Sequence, residues 1–238
     1  MSLPILFCSD VHLCPEVPER NGRFFRWLES LSNVHLVIVG DLFHYWWDYS
    51  RVPSEYSQLL HPFTQLSKRS VKLSLLGGNH DFSLPKQILC DPLKLPSNLH
   101  IEHGDRADKS FGYRALRTAL RSSVFSGLMT VLGPRLGFIF LKHLAGDSNR
   151  TIDTNQRLVI AQRRHGSQLL DKMDWVLQGH SHYLAHEQTS DGALIWLGDW
   201  VHHCSYAKWF DGRLQLCRWR EGRPEQEVVV PMKELGPL

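Results

Sequence analysis

Short apolar runs that stop abruptly at polar residues recur through the first hundred positions of the chain. Pro4-Ile-Leu-Phe-Cys8 stops at Ser9-Asp10, and His35 to Val39 at Gly40-Asp41. Val71 to Leu76 stops at Gly77-Gly78-Asn79, and Leu99 to Glu102 at His103-Gly104-Asp105. Runs of this length, bounded by turn and polar residues, predict buried strands. Between them the periodicity becomes helical. Arg20 to Leu31 carries Phe24, Phe25, Leu28 and Leu31 at helical spacing, and Pro53 introduces a second predicted helix over Ser54 to Lys68. Strand alternating with helix predicts a sheet with helices on its faces. In such sheets ligands bind at the carboxyl ends of the strands, so polar clusters distant in sequence can meet in one place.

The pattern changes after residue 105. Phe111 to Ala145 is helical in period and mixes apolar residues with Arg114, Arg117 and Arg121 along one stripe. Gly133-Pro134 should break this stretch into two helices. Thr154 to Leu170 predicts another helix, and 106–165 reads as a helical insertion. Beyond it, Trp175 to Gln178 and Ala193 to Leu197 predict strands, with hairpin signals at Asp191-Gly192 and Asp211-Gly212. The C-terminal part is therefore expected to be mostly antiparallel. Neither a repeat nor a low-complexity segment is visible.

Composition narrows the class. The 238 residues are 42% hydrophobic and 21% charged, which fits one α/β domain with an insertion. A net charge of +3, without a basic groove interleaved with aromatics, predicts no nucleic-acid partner. The 5 cysteines include no CxxC pair, which argues for reduced thiols in a cytoplasmic protein rather than a disulfide framework or zinc knuckle. No signal peptide is expected. The apolar window from Val124 to Gly146 is interrupted by Gly133, Pro134, Arg135 and Lys142, so a spanning helix is not expected either.

The 14 histidines matter for their placement. Asp10-Val-His12, Gly40-Asp41, Gly78-Asn79-His80-Asp81, His103-Gly104-Asp105 and Gly179-His180-Ser-His182 follow one another, each after a predicted strand. Singly, each is weak: a Gly-Asp is usually a turn, and a His-x-His usually incidental. Together they offer a mixed imidazole and oxygen donor set without thiolates, which suits Mn, Fe or Zn.

In that order the clusters resemble the calcineurin-like metallophosphoesterases, over residues 9 to about 200. The resemblance implies one domain over 1–238: an α/β (α+β) fold with a two-sheet β-sandwich flanked by helices and a helical lid insertion at 106–165. It implies two divalent ions about 3.5–4 Å apart, which lower the pKa of a bound water and neutralise phosphoryl charge. Asp10, His12 and His182 would hold one ion, Asn79, His103 and His180 the other, and Asp41 would bridge them. His80 would face the phosphate and assist the leaving group as a neutral imidazole, with Asp81 orienting it. Mn is the metal the resemblance favours, although the same donors accept Fe, Co or Zn. His44, His202 and His203 are expected to be non-ligands.

Gly40-Asp41-Leu-Phe-His-Tyr-Trp46 is similar to a segment of the UDP-2,3-diacylglucosamine diphosphatases. Glu102-His103-Gly104-Asp105, Asp108, Tyr113 and Leu197-Gly198-Asp199-Trp200 fit the same family. That similarity implies cleavage of a nucleotide-linked glycolipid to 2,3-diacylglucosamine 1-phosphate and UMP, in lipid A synthesis. The implied enzyme is a monomer, peripheral at the cytoplasmic face of the inner membrane. The best-known branch carries Arg where this chain has His80. The alternative is a soluble phosphoester: a phosphoprotein, cyclic nucleotide or dinucleotide. An apolar trough for acyl chains is expected from Leu128, Val131, Leu132, Leu136, Phe138, Ile139, Phe140 and Leu141. Asn79, His80, Asp108, Arg114, Arg117, Ser148 and Arg150 are the expected substrate contacts. Tyr45, Trp46 and Trp47 suit either the substrate entrance or packing beneath the lid.

Overall fold

The apolar runs do form strands, and two sheets share them. A computed structural model of the chain describes residues 3–145, 152–223 and 226–227. Strands β1 (Ile5–Cys8), β2 (His35–Val39) and β3 (Lys72–Leu76) lie parallel. Strands β8 (Ser205–Phe210), β9 (Arg213–Arg218) and β10 (Gln226–Glu227) extend that sheet antiparallel, in the order β10-β9-β8-β1-β2-β3. The second sheet has the order β4-β5-β7-β6 and consists of β4 (Leu99–Glu102), β5 (Trp175–Gln178), β7 (Ala193–Leu197) and β6 (Leu184–Gln188).

Side-chain alternation explains why the runs are apolar on both faces. In β1 and β2, Phe7, Val37 and Val39 point between the sheets, where they meet Leu99, Ile101, Leu177 and Ile195 of the second sheet. Their neighbours Leu6, Cys8, Leu36 and Ile38 point the other way, toward helix α1 (Pro18–Ser30) and its Phe24, Trp27 and Leu28. A strand covered on both faces has no polar alternation. Proline at the first turn of α1 suits the helix start, where its missing N–H is not needed.

One expectation is corrected. Only Ser54–Ser57 (α2) forms an α-turn; the chain then runs as a 3₁₀ helix over Gln58–Gln65 and again over Ser67–Arg69. Pro62 lies inside this stretch and cannot donate an α-helical hydrogen bond. The C-terminal part is mostly antiparallel, as expected, in the β6–β7, β8–β9 and β9–β10 pairs, and only β5 pairs in parallel, with β4 and β7. The fourth predicted strand, β4, lies at the edge of the second sheet. Both hairpin signals hold, at the β6–β7 and β8–β9 turns.

The insertion comprises α3 (Phe111–Leu120), α4 (Ser123–Ala145) and α5 (Ile152–Leu169). Gly133 leaves helical geometry with φ 68° and ψ 178°, so α4 kinks where Gly133-Pro134 was expected to break it. By length and composition Ser123–Leu144 could cross a membrane. Yet Phe125, Met129, Phe138 and Leu141 on this helix are buried in the main core. Phe138 packs against Trp46 and Tyr49 and stacks on Tyr56, with ring centroids 3.9 Å apart. The expected trough is therefore divided: Phe138 and Leu141 plug the core, while Leu128, Val131, Leu136 and Ile139 are exposed. Tyr45 and Trp46 are buried in the same cluster, which favours packing beneath the lid over the entrance. Helix α5 packs on the second sheet through Val159 and, at its C-terminal end, Leu169. Ser148, Asn149 and Arg150 lie outside the described residues.

Candidate active site

Every expected metal ligand sits just past the carboxyl end of a parallel strand. Asp10 and His12 follow β1, Asp41 follows β2, Asn79 follows β3, His103 follows β4, and His180 and His182 follow β5. The backbone curls to bring them together: Asp10, His12, Asp41, His180 and His182 all adopt positive φ between 52° and 67°. Non-glycine residues enter that region at a cost, and such strain concentrates at functional sites. Glycines allow the close approach. A Cβ on Gly40 would collide with the His103 ring, and one on Gly78 with the Asp41 carboxylate.

Two donor groups result. Asp10, His12 and His182 place ligand atoms within 4.8 Å of one another, and so do Asp41, His103 and His180. In the first group, His182 Nε2 lies 3.4 Å from Asp10 Oδ1 and 3.1 Å from His12 Nε2. In the second, His103 Nε2 lies 3.3 Å from Asp41 Oδ2 and 3.1 Å from Asn79 Oδ1. Asp41 Oδ2 is also 4.0 Å from His12 Nε2, which puts this carboxylate between the groups. His103 Nδ1 donates to the Val39 carbonyl at 3.0 Å, leaving Nε2 with a lone pair in the neutral ring.

The donor set fits divalent cations. Asp10 Oδ1 is buried and accepts no hydrogen bond among the described residues, an arrangement that is costly without a cation. Burial holds the His12 imidazole well below its ordinary pKa, so the ring is in its ligating neutral form. Burial alone would raise the Asp41 carboxyl, but His103 and His80 beside it outweigh that and hold it low. Burial would also lower His103, yet Asp41 opposite pushes it up to about 10.

His80 stands beside these groups, with its ring 5.0 Å from His12 and edge-on to it. Its backbone N–H donates to Asp41 Oδ1 at 2.9 Å, and its Nδ1 donates to the His44 carbonyl at 2.6 Å. This corrects the neutral donor role. With Nδ1–H committed to a carbonyl, a neutral ring carries a lone pair on Nε2, so giving a proton from Nε2 requires the imidazolium. Asp81 is corrected as well. Its carboxylate accepts the backbone N–H groups of Leu42, Phe43 and Gly78 at 3.1–3.3 Å, bracing the loops that carry Asp41 and Asn79 rather than orienting His80. Burial, then the Asp41 charge, pushes its carboxyl up to about 7.

A cavity of about 140 Å³ opens from Asn79 and His80 toward α3 and α4. Phe82, Tyr113, Leu116, Leu120 and Leu144 give it an apolar wall, and Arg117 and Arg121 line it too. None of the residues expected to form the trough lines this cavity. Arg117 Nε pairs with buried Asp105 at 2.9 Å, and Tyr113 donates to the same oxygen at 3.2 Å. Arg121 donates to the Gly78 carbonyl at 3.2 Å. Arg114 is exposed, away from the cavity wall, and Asp108 Oδ1 accepts from Ser110 N–H at the start of α3.

Two buried side chains beside the site carried no sequence expectation of a role. Gln162 of α5 donates to the Gly179 carbonyl at 2.8 Å, next to His180. Asp199, just past β7, lies 3.2 Å from His182 Nδ1. Burial would raise its carboxyl, but His182 and His203 outweigh this and hold it far below the usual range. Asp199 follows a predicted strand, as the ligands do, and that signal was available. His44 stacks near His80 at 5.4 Å, and its nitrogen falls within 4.8 Å of those of His12 and His80.

The chain's similarities agree with this geometry. It is 28% identical over 259 residues to a UDP-2,3-diacylglucosamine hydrolase of Aeromonas salmonicida, covering 97% of this chain and 96% of that protein. A Porphyromonas gingivalis protein of the same name is 25% identical, covering 88% and 95%. One from Blochmanniella floridana is 34% identical over 147 residues, covering 55% and 59%. The calcineurin-like phosphoesterase family model matches residues 3–184, where all the expected ligands lie. The chain belongs to the calcineurin-like phosphoesterase family and is a metal-dependent phosphoesterase.

Proposed function

We propose that the enzyme hydrolyses the pyrophosphate bond of UDP-2,3-diacylglucosamine, releasing UMP and 2,3-diacylglucosamine 1-phosphate for lipid A synthesis. The observation that carries this reading is a carboxylate–histidine cluster opening onto an apolar cavity edged by Arg117 and Arg121. Near full-length similarity to hydrolases of that name supports it. A diphosphate joined to acyl chains needs both surfaces at once.

Asp10, His12 and His182 would hold one divalent ion, Asn79, His103 and His180 a second, with Asp41 serving both. Bound there, two such ions supply Lewis acidity toward phosphoryl oxygens and an activated water nucleophile. The protein's own groups do the rest. Asp41 is fixed by the His80 N–H and held ionised by His103 and His80, so it needs no rearrangement to serve as a ligand. His80, anchored through Nδ1 to the His44 carbonyl, presents Nε2 as the nitrogen that passes a proton to the departing oxygen. Arg117, fixed by Asp105, offers its guanidinium to the diphosphate. Leu116, Leu120 and Leu144 exclude water on the lipid side.

In this reading the metal is Mn, the enzyme is a monomer with one domain and a helical lid, and it works at the cytoplasmic face of the inner membrane. Exposed Val124, Val131, Leu136 and Ile139 on α4 suit peripheral contact with lipid. The test compares UDP-2,3-diacylglucosamine in mixed micelles with a water-soluble diester such as bis-p-nitrophenyl phosphate. Preference for the lipid by orders of magnitude in kcat/KM is expected. Equal or better turnover of the soluble ester would discard the lipid assignment while leaving the dimetal chemistry.

A further inference from the structure

Asp199 is a buried carboxylate, 1% exposed, and both of its oxygens are engaged. Oδ1 accepts the backbone N–H groups of His202 and His203, at 2.6 and 3.1 Å. Oδ2 faces two rings: His182 Nδ1 and His203 Nδ1, each 3.2 Å away. The next residue returns to the same site, where the Trp200 N–H donates to the Asp10 carbonyl at 3.1 Å.

We infer that Asp199 is a positioning residue that fixes the tautomer of His182, so that its Nε2 lone pair points at the ion held with Asp10 and His12. An ionised carboxylate only accepts hydrogen bonds. His182 Nδ1 must therefore carry the proton, which leaves Nε2 unprotonated in the neutral ring. That Nε2 is the atom 3.1 Å from His12 Nε2 and 3.4 Å from Asp10 Oδ1. Carboxylates behind metal-bound histidines act in this way, and losing one typically weakens metal binding about 10–100-fold. The inference rests on the ligand assignment proposed above and adds a residue to it.

The division of labour between the two oxygens yields an unusual ordering of variants. In Asp199→Asn, the two backbone N–H groups require the amide oxygen, so the NH₂ faces His182. Nδ1 must then accept, the proton moves to Nε2, and His182 can no longer ligate without breaking that bond. In Asp199→Ala neither a carboxylate nor an amide at this position dictates which His182 nitrogen carries the proton. The amide therefore preserves the turn yet harms metal binding at least as much as alanine does.

The experiment titrates metal-stripped wild type, Asp199→Asn, Asp199→Ala and His182→Ala with Mn, following bound ion by electron paramagnetic resonance and calorimetry. Melting temperature is measured in parallel. The expected result is one weakened site, by about 10–100-fold, in both Asp199 variants. Asn should bind no better than Ala at that site although it melts higher, and the second site should stay at wild-type affinity. Wild-type binding by Asp199→Asn, or binding better than that of Asp199→Ala, would reduce Asp199 to a brace for the turn and overturn the inference. If Asp199→Ala does not fold, Asp199→Asn against wild type decides alone. If His182→Ala keeps both sites at full affinity, the ligand assignment itself fails, an outcome distinct from either result at Asp199.

Discussion

His80 is where the residue-scale account is most exposed to test. Its ring is held by one carbonyl bond to His44 and lies beside, rather than within, the two donor groups. His80→Ala should keep both ions yet lose about 10²–10⁴-fold in kcat, the usual size of an acid–base contribution. Metal content and rate measured on one preparation check this; an unchanged rate would remove His80 from the reaction. The seven candidate ligands were legible in the sequence because each follows an apolar run and carries an imidazole or an oxygen donor. The roles of His80 and Asp81 were not. They depend on which backbone groups come within hydrogen-bond distance after folding, namely the His44 carbonyl and the N–H groups of Leu42, Phe43 and Gly78. The role of Asp199 is not legible in Gly198-Asp199-Trp200, because it depends on His182 Nδ1 coming within 3.2 Å after folding.

Among the elements, α4 differs most from its sequence reading. Its apolar residues suggested an acyl trough, but Phe138 is driven into the cluster of Tyr45, Trp46, Tyr49 and Tyr56, and only 2% of it is exposed. Lys142 on the same helix pairs with Glu16 at 2.7 Å, and Glu16 also accepts from Tyr45 at 3.0 Å. Periodicity reports which positions are apolar, not which of two apolar surroundings each enters. The predicted lid is thus pinned at this point, and Phe138→Ala should lower stability by about 3–5 kcal/mol. Urea denaturation checks this; a loss below about 1 kcal/mol would mean that α4 is not anchored there. The Gly133-Pro134 kink, by contrast, was readable from local chemistry alone. The 3₁₀ stretch around Pro62 could have been read the same way.

Across the whole molecule, two sheets deliver their strand ends to one place, and the return of the insertion onto the second sheet depends partly on Glu102. Its carboxylate takes a hydrogen bond from Gln178 at 2.6 Å and lies 3.3 Å from His165 of α5 and 3.7 Å from His100. Burial alone would raise this carboxyl, but His100, Gln178 and His165 outweigh it and bring it from an ordinary 4.5 to about 2. A depressed acid stabilises the fold fully above its unfolded pKa and loses that contribution as pH falls toward the folded value. Wild type should therefore lose stability between pH 4.5 and 2, and Glu102→Gln should lose less, by at most about 3 kcal/mol. Equal losses, from urea melts at pH 5 and pH 3, would contradict this. The α/β alternation and the site at the strand ends were legible in the sequence. The partition of strands between two sheets was not, because β4, β5 and β7 pair across 70 residues or more of intervening chain between the first and second. The most direct measurement for the account as a whole is UMP release from UDP-2,3-diacylglucosamine by metal-stripped protein, with and without Mn, for wild type and Asp41→Ala. The account predicts Mn-dependent release by wild type, with loss of both activity and bound metal in Asp41→Ala, whereas release without metal, or a full rate and two bound ions in Asp41→Ala, would contradict it.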